Sequence, residues 1–237
     1  MIWINSKHRS REEEIMDDFQ LQGSQLKTTL EDLDKVNKYL GGNEITLEGV
    51  EKMIKSTCFE PPLHILDVGC GNGSLLKEVA NLGRKKGVEM RLKGIDANIH
   101  AIEIARENCR EYPEIIFEAQ DVFSKEFEKE NTDIVLCTLT LHHFTDTEIK
   151  RLLKNFVRKS NIGIVINDLK RSRLAYLLFQ LFCAVFIRND IAREDGLVSI
   201  KRSFRKKDLY NYGKNLKVRK QEIRQKWAFR YQWILLK

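Results

Sequence analysis

The chain has 237 residues and 41 basic against 34 acidic side chains, for a formal charge of +7. That is enough for one large domain, or a domain with a cap, around a full core. Cys58, Cys70, Cys109, Cys137 and Cys183 are odd in number and have no C-x-x-C spacing, which argues against a disulfide framework, a zinc site or an iron–sulfur cluster and fits a reducing cytoplasm. The opening residues hold no apolar run of signal-peptide length.

Charge is polarised along the chain. Glu12, Glu13, Glu14, Asp17 and Asp18 make the beginning acidic, whereas the end carries Lys201, Arg202, Arg205, Lys206, Lys207 and, from Lys214 to Arg230, a further seven basic residues against Asp208 and Glu222. Few aromatics interleave with those charges, so nucleic-acid binding is disfavoured. From about residue 11 to 55 the chain reads as helical: Leu26, Leu30, Leu33, Val36, Asn37 and Leu40 recur at helical spacing, an amphipathic stripe. Gly41-Gly42-Asn43 stops the first helix, Thr46 is expected to cap a second over 47–56, and Pro61-Pro62 marks the entry to the next unit. Residues 1–60 are thus expected to form a helical cap and 61–237 the main domain.

From there apolar strands alternate with helices. Strands are expected at 64–68, 90–95, 115–119, 133–137 and 162–166, and helices at about 74–84, 99–110 and 146–158, the last capped by Thr145. Near-continuously apolar strands in βα units imply a parallel sheet covered on both faces. Residues 174–187 are apolar nearly all round but too short for a span of about 20 residues. They are bounded by Arg171, Arg173 and Arg188 and are read as a lid helix within an insertion at about 170–202, with a weak membrane-surface contact as its alternative role. A helix near 205–214 and two strands, 218–227 and 229–236, close the chain.

The most informative stretch is Ile65-Leu66-Asp67-Val68-Gly69-Cys70-Gly71-Asn72-Gly73-Ser74. A strand feeding a glycine-rich turn lets backbone approach a ligand closely, and the following helix start adds a positive field. A dinucleotide turn would read G-x-G-x-x-G. Here glycines alternate at 69, 71 and 73 behind the acid Asp67, which would repel a pyrophosphate and attract an ammonium. This segment resembles the first motif of class I S-adenosylmethionine-dependent methyltransferases. The resemblance implies a doubly wound, seven-stranded Rossmann-like sheet with an antiparallel last strand. It also implies S-adenosylmethionine held by Asp67, Gly69, Cys70, Gly71, Gly73, Asp96, Ala97, Asp121, Val122, Cys137 and Thr138. Asp96 would take the ribose hydroxyls, and Asp121 with the Val122 N–H the adenine.

Displacement at an activated methyl needs alignment, water exclusion and removal of the acceptor's proton. His142 and His143 follow the fourth strand and are the candidate bases, His143 preferred; the alternative is that both only position the site. Asp168 is a weaker candidate, or a helix cap near Arg171. Missing Asn-Pro-Pro-Tyr and Asp-Pro-Pro-Tyr, paired-glutamate and Asp/Asn-cluster motifs leave a small-molecule acceptor, and no metal site is expected. Phe179, Phe182 and Phe186 would line an apolar acceptor pocket. Glu14-Ile15-Met16-Asp17-Asp18 and Val36-Asn37-Lys38-Tyr39-Leu40-Gly41-Gly42, together with Ile166-Asn167-Asp168-Leu169 and the apolar helix, resemble a subgroup of bacterial methyltransferases associated with polyketide and phenolic-lipid pathways, which implies a phenolic or quinone-like hydroxyl as acceptor. Transfer to carbon of a quinone precursor and RNA methylation are the alternatives. The protein is expected to be cytoplasmic and a monomer or homodimer.

Overall fold

The computed structural model describes residues 6–129, 131–187 and 189–237, with the side chains of 128 and 129 left aside. After a 3-10 turn at Ile15–Asp17 come α1 (Gly23–Tyr39), α2 (Gly42–Ser56), β1 (Leu63–Val68), α3 (Ser74–Lys86), β2 (Met90–Asp96), α4 (Ile99–Asn108), β3 (Ile115–Ala119) and α5 (Lys125–Lys129). The chain continues through β4 (Thr132–Thr138), a 3-10 turn at Leu141–His143, α6 (Asp146–Lys159), β5 (Ser160–Leu169), α7 (Arg173–Phe186), α8 (Asp190–Arg202), α9 (Lys206–Gly213), β6 (Lys220–Lys226) and β7 (Arg230–Leu236).

The strands form one sheet in the order β3-β2-β1-β4-β5-β7-β6. β1 to β5 run parallel, and β7 inserts antiparallel between β5 and the edge strand β6. This is the expected doubly wound, seven-stranded sheet with an antiparallel last strand. The central strands are buried on both sides because helices cover both. Val50, Met53, Leu76, Val79 and Ile102 pack on one face, and Phe127, Leu152, Phe156, Leu209 and Tyr212 on the other. α6 starts where its sequence says: Thr145 and Glu148 form a reciprocal capping box, satisfying two otherwise orphaned donors. Among the described residues no helix is long and apolar enough to cross a membrane.

Three segments differ from the sequence expectation. Residues 6–22 are not part of a long helix but a strap with one 3-10 turn. Its backbone is bound elsewhere: Ser10 N donates to Lys201 O, and Ile15 N and Met16 N donate to the carboxylate of Asp195. Thr46 is no cap; α2 begins earlier, behind Gly41 at φ +63°, and buried Thr46 bonds Thr138. Helices α5 and α8 were not foreseen. In α8 the buried side mixes Ile191, Ala192 and Ile200 with Asp195, Ser199 and Arg202, so the apolar stripe that betrays a helix is interrupted. α1 joins the layers: Leu26 and Leu30 pack with Ala101 of α4, while Val36 meets Cys183 and Ala192 of the inserted helices.

Candidate active site

β1 and β4 are neighbours although β2 and β3 intervene in sequence, so strand order reverses between them and the loops above diverge into a crevice. The glycine loop fills that point. Gly69 has φ +73°, and a Cβ there would lie 2.3 Å from Thr140 Oγ1; Gly73 has φ +80°, with Phe117 Cζ 2.7 Å from its notional Cβ. Both positions require the left-handed region and the missing side chain. The Gly69 and Cys70 N–H groups donate to Ile95 O, and Gly71 N donates to Asp96 Oδ2 at 3.1 Å, which ties the loop to the end of β2.

Asp67 is 1% exposed, and its Oδ1 has no hydrogen-bond partner. Burial, reinforced by the nearby Asp96 charge, pushes its carboxyl up to about 8. Burial also raises Asp96, although the Asn98, Gly71 and Ala97 N–H groups oppose that shift. Two carboxyls are therefore held beside the loop with too little positive charge.

A cavity of about 940 Å³ opens over the strand ends. Asp67, Gly69, Cys70, Gly71, Asp96, Ala97, Asp121, Val122, Thr138, His142 and His143 all line it. Two of the expected cofactor residues do not. Gly73 instead forms the N-cap of α3, and Cys137 is fully buried in the core on the α6 side of the sheet. Asp121 is exposed and accepts from Phe123 N at 2.8 Å. Buried Gln120, whose Oε1 is unpartnered, also lines the wall and was not singled out from sequence.

The histidine rings stack with centroids 4.4 Å apart. His142 is buried; its Nδ1 donates to Asp168 Oδ1 at 2.8 Å and its backbone N–H to Asp168 Oδ2 at 3.2 Å. Burial opposes the charged ring, but Asp168 and Glu14 outweigh it and lift His142 to about 9. His143 is more accessible, with Nδ1 donating to Asp17 Oδ1 at 2.6 Å. Burial disfavours the Asp17 charge, yet bonds from His143 and Arg202 bring its carboxyl far below the usual range. Asp168 is thus no helix cap: Ser172 caps α7, and Arg171 is bound to Asp208. Glu14, Asp17 and Arg202 were missed because they reach the pair from the distant strap and from α8. The signal that pointed to them was the dense acid run at 12–18.

The other half of the cavity is apolar. Ala175, Leu178, Phe179 and Phe182 of α7 line it with Gly196 of α8, where a Cβ would lie 2.4 Å from Phe179. Phe186 does not line it; that ring is 64% exposed. The outer face of α7 presents Leu174, Leu177, Leu181 and Val185. Arg230 also lines the chamber; it is buried, donates to Asn37 at 2.8 Å, and leaves Nε and Nη1 without partners.

Residues 65–161 match the family model described as a methyltransferase domain. A ubiquinone biosynthesis O-methyltransferase of Coxiella burnetii is 27% identical over 117 residues, covering 48% of this chain and 47% of that protein; the matched stretch spans about half of the relative. Among solved structures, the plantazolicin methyltransferase BamL, in complex with a triazolic desmethylPZN analogue and SAH, superposes with a TM-score of 0.67 at 14% identity, covering 89% of this chain and 90% of that one. BpumL in complex with SAH gives 0.63 at 17% identity over 89% and 88%. The CMeT domain of the citrinin polyketide synthase gives 0.59 at 15% identity over 79% and 49%.

Proposed function

With residues 65–161 forming a methyltransferase domain on the class I fold, we propose that the protein moves a methyl group from S-adenosylmethionine to a hydroxyl of a small apolar aromatic or polyketide-like acceptor. The observation that carries this reading is the buried, unpartnered Asp67 Oδ1 beside the glycine loop. A carboxyl in that position is unfavourable alone and favourable beside an ammonium group. S-adenosylmethionine bound there supplies a methyl already activated by its sulfonium. Asp67 and the glycine loop hold the amino-acid end, Asp96 the ribose, and Asp121 with the Val122 N–H the adenine.

His143 takes the acceptor's proton at Nε2. Asp17 holds its Nδ1–H and so fixes the tautomer that leaves Nε2 free. His142, locked to Asp168, positions the neighbouring ring. Phe179 and Phe182 seat the acceptor and exclude water, which favours an apolar ring system. The outward face of α7 and the exposed Trp227 provide a surface for weak membrane contact through which such an acceptor arrives.

The basic C-terminal part supports a small-molecule reading better than RNA. Lys201, Arg202, Lys220, Arg224 and Lys226 are all paired with carboxylates, and Arg230 is buried. Transfer to carbon of a quinone precursor is the second reading. The test is calorimetry with SAH followed by mass spectrometry of a phenol and quinol panel. Wild type should bind SAH and add a methyl mass to a phenol, whereas Asp96→Ala should lose SAH binding while remaining folded. Unchanged SAH affinity in Asp96→Ala refutes the cofactor site.

A further inference from the structure

Glu14, His142 and His143 form a set in which each side chain is held by one atom and offers another. His142 Nδ1 donates to Asp168 Oδ1 at 2.8 Å, His143 Nδ1 donates to Asp17 Oδ1 at 2.6 Å, and Glu14 Oε2 accepts from Ser199 Oγ at 2.8 Å. The two imidazoles face this carboxylate. His142 Nε2 lies 3.5 Å from the unpartnered Glu14 Oε1, His143 Nε2 lies 3.8 Å from Glu14 Oε2, the oxygen that Ser199 already holds, and one donor atom from each residue falls within 4.8 Å of the other two. Glu14 Oε1 and His142 Nε2 are both buried and lack a hydrogen-bond partner.

The His142–Glu14 separation is that of two ligands on one ion, and the His143 separation is a few tenths of an ångström wider. Bonds of about 2.0–2.2 Å in a tetrahedron put neighbouring donor atoms roughly 3.3–3.6 Å apart. A carboxylate on the far nitrogen of each imidazole is the arrangement that fixes tautomer and orientation in histidine metal sites. Arg202 Nη1 lies 3.6 Å from Glu14 Oε1, but it is also paired with Asp17. A bound ion takes the place of the proton that Asp168 and Glu14 favour on His142, and Glu14, Asp17 and Asp168 then keep the cluster net negative beside that guanidinium.

We infer that Glu14, His142 and His143 bind a divalent transition-metal ion, with zinc the best match to two imidazoles and one carboxylate. Three protein ligands leave a position open to the cavity, which is the pattern of a catalytic rather than a structural site. Magnesium is a poor fit, because it favours oxygen ligands and an octahedral shell.

What the ion does rests on the methyl-transfer reading; its binding does not. An acceptor hydroxyl at the open position is polarised by the ion. Its O–H bond breaks and the proton leaves to solvent. The oxygen pair then forms the O–CH₃ bond while the S–CH₃ pair departs with sulfur as a neutral thioether. With the ion bound, His143 Nε2 is a ligand, so the ion replaces the imidazole as the means of activating the hydroxyl. Sequence spacing gave no hint of the site because Glu14 comes from the strap, far along the chain from the histidines.

The test is calorimetric titration of Zn²⁺ into the full chain after dialysis against a chelator, with SAH titrated into the same preparation. Saturable uptake of one ion per chain is expected. Glu14→Gln and His143→Ala should each weaken it by at least about 10-fold, and the exposed-thiol variant Cys58→Ser should leave it unchanged. Substitution by Co²⁺ should give an absorption spectrum of nitrogen and oxygen ligands without a thiolate band. No uptake by a chain that still binds SAH overturns the proposal, as does uptake that survives both Glu14→Gln and His143→Ala or is lost in Cys58→Ser. Retained SAH binding certifies each variant as folded; should Glu14→Gln lose the strap, His143→Ala decides. A chain that binds Zn²⁺ but not SAH refutes the cofactor reading and leaves the ion site standing.

Discussion

Replacing Asp67 by asparagine should make the ligand-free protein more stable and abolish its cofactor affinity. In the unfolded chain this carboxyl titrates near its ordinary 3.8, whereas in the folded protein burial raises it to about 8. Between about pH 4 and pH 8 the folded state therefore holds a proton that the unfolded chain has lost, and stability falls as pH rises across that window. By pH 7 the loss amounts to about 4 kcal/mol relative to a fully neutral side chain. Asparagine removes that loss but buries an amide with no partner for Oδ1's counterpart, at a cost of about 1–3 kcal/mol. The net expectation at pH 7 is a gain of roughly 1–3 kcal/mol, with the downward slope between pH 4 and 8 reduced. Urea denaturation as a function of pH measures both. Calorimetry with SAH should show at least a 100-fold loss of affinity in Asp67→Asn. In wild type at pH 6.5, binding an ammonium beside Asp67 should release about one proton, visible as a dependence of the heat on buffer ionisation enthalpy. An asparagine variant that is less stable at pH 7 yet binds SAH normally would refute the reasoning.

Three further outcomes are expected. Gly69→Ala places a Cβ at φ +73° against Thr140 Oγ1 and should cost about 1–3 kcal/mol in denaturant unfolding while weakening SAH binding; unaltered values for both would show that the turn relaxes freely. His143→Ala should lower kcat by about 10²–10⁴-fold with SAH affinity nearly unchanged, and a fall in affinity without a fall in kcat would assign the ring to cofactor binding instead. Phe179→Ala opens the apolar half of the cavity and should raise KM for a phenolic acceptor about 10-fold with little change in kcat, whereas a change confined to SAH binding would move the acceptor elsewhere.

The sheet was legible because its signals are local. Apolar runs of strand length, alternating with stripes such as that of Asp146–Lys159 behind a Thr145 cap, specify βα units without reference to the rest of the chain. That Asp67, Asp96 and Asp121 line one cavity with the glycine turn follows for the same reason: each residue lies at or just past the end of its own strand, and the parallel register brings the strand ends together. The expected residues that do not line the cavity are those in which residue type and contact are decoupled. Gly73 sits in the glycine turn but serves helix α3, and Cys137 is turned into the core. The histidine surroundings lay beyond local reading altogether. Glu14 and Asp17 come from a strap that looks like an acidic helix face, and Arg202 from a helix whose buried side is half polar. Periodicity detects apolar burial; it does not detect a polar surface buried against charges from remote segments. The sequence by itself thus determined the sheet and the glycine loop at the end of its first strand. Only the tertiary structure decided which charges converge on His142 and His143, because that convergence depends on strap and insertion folding over the strand ends.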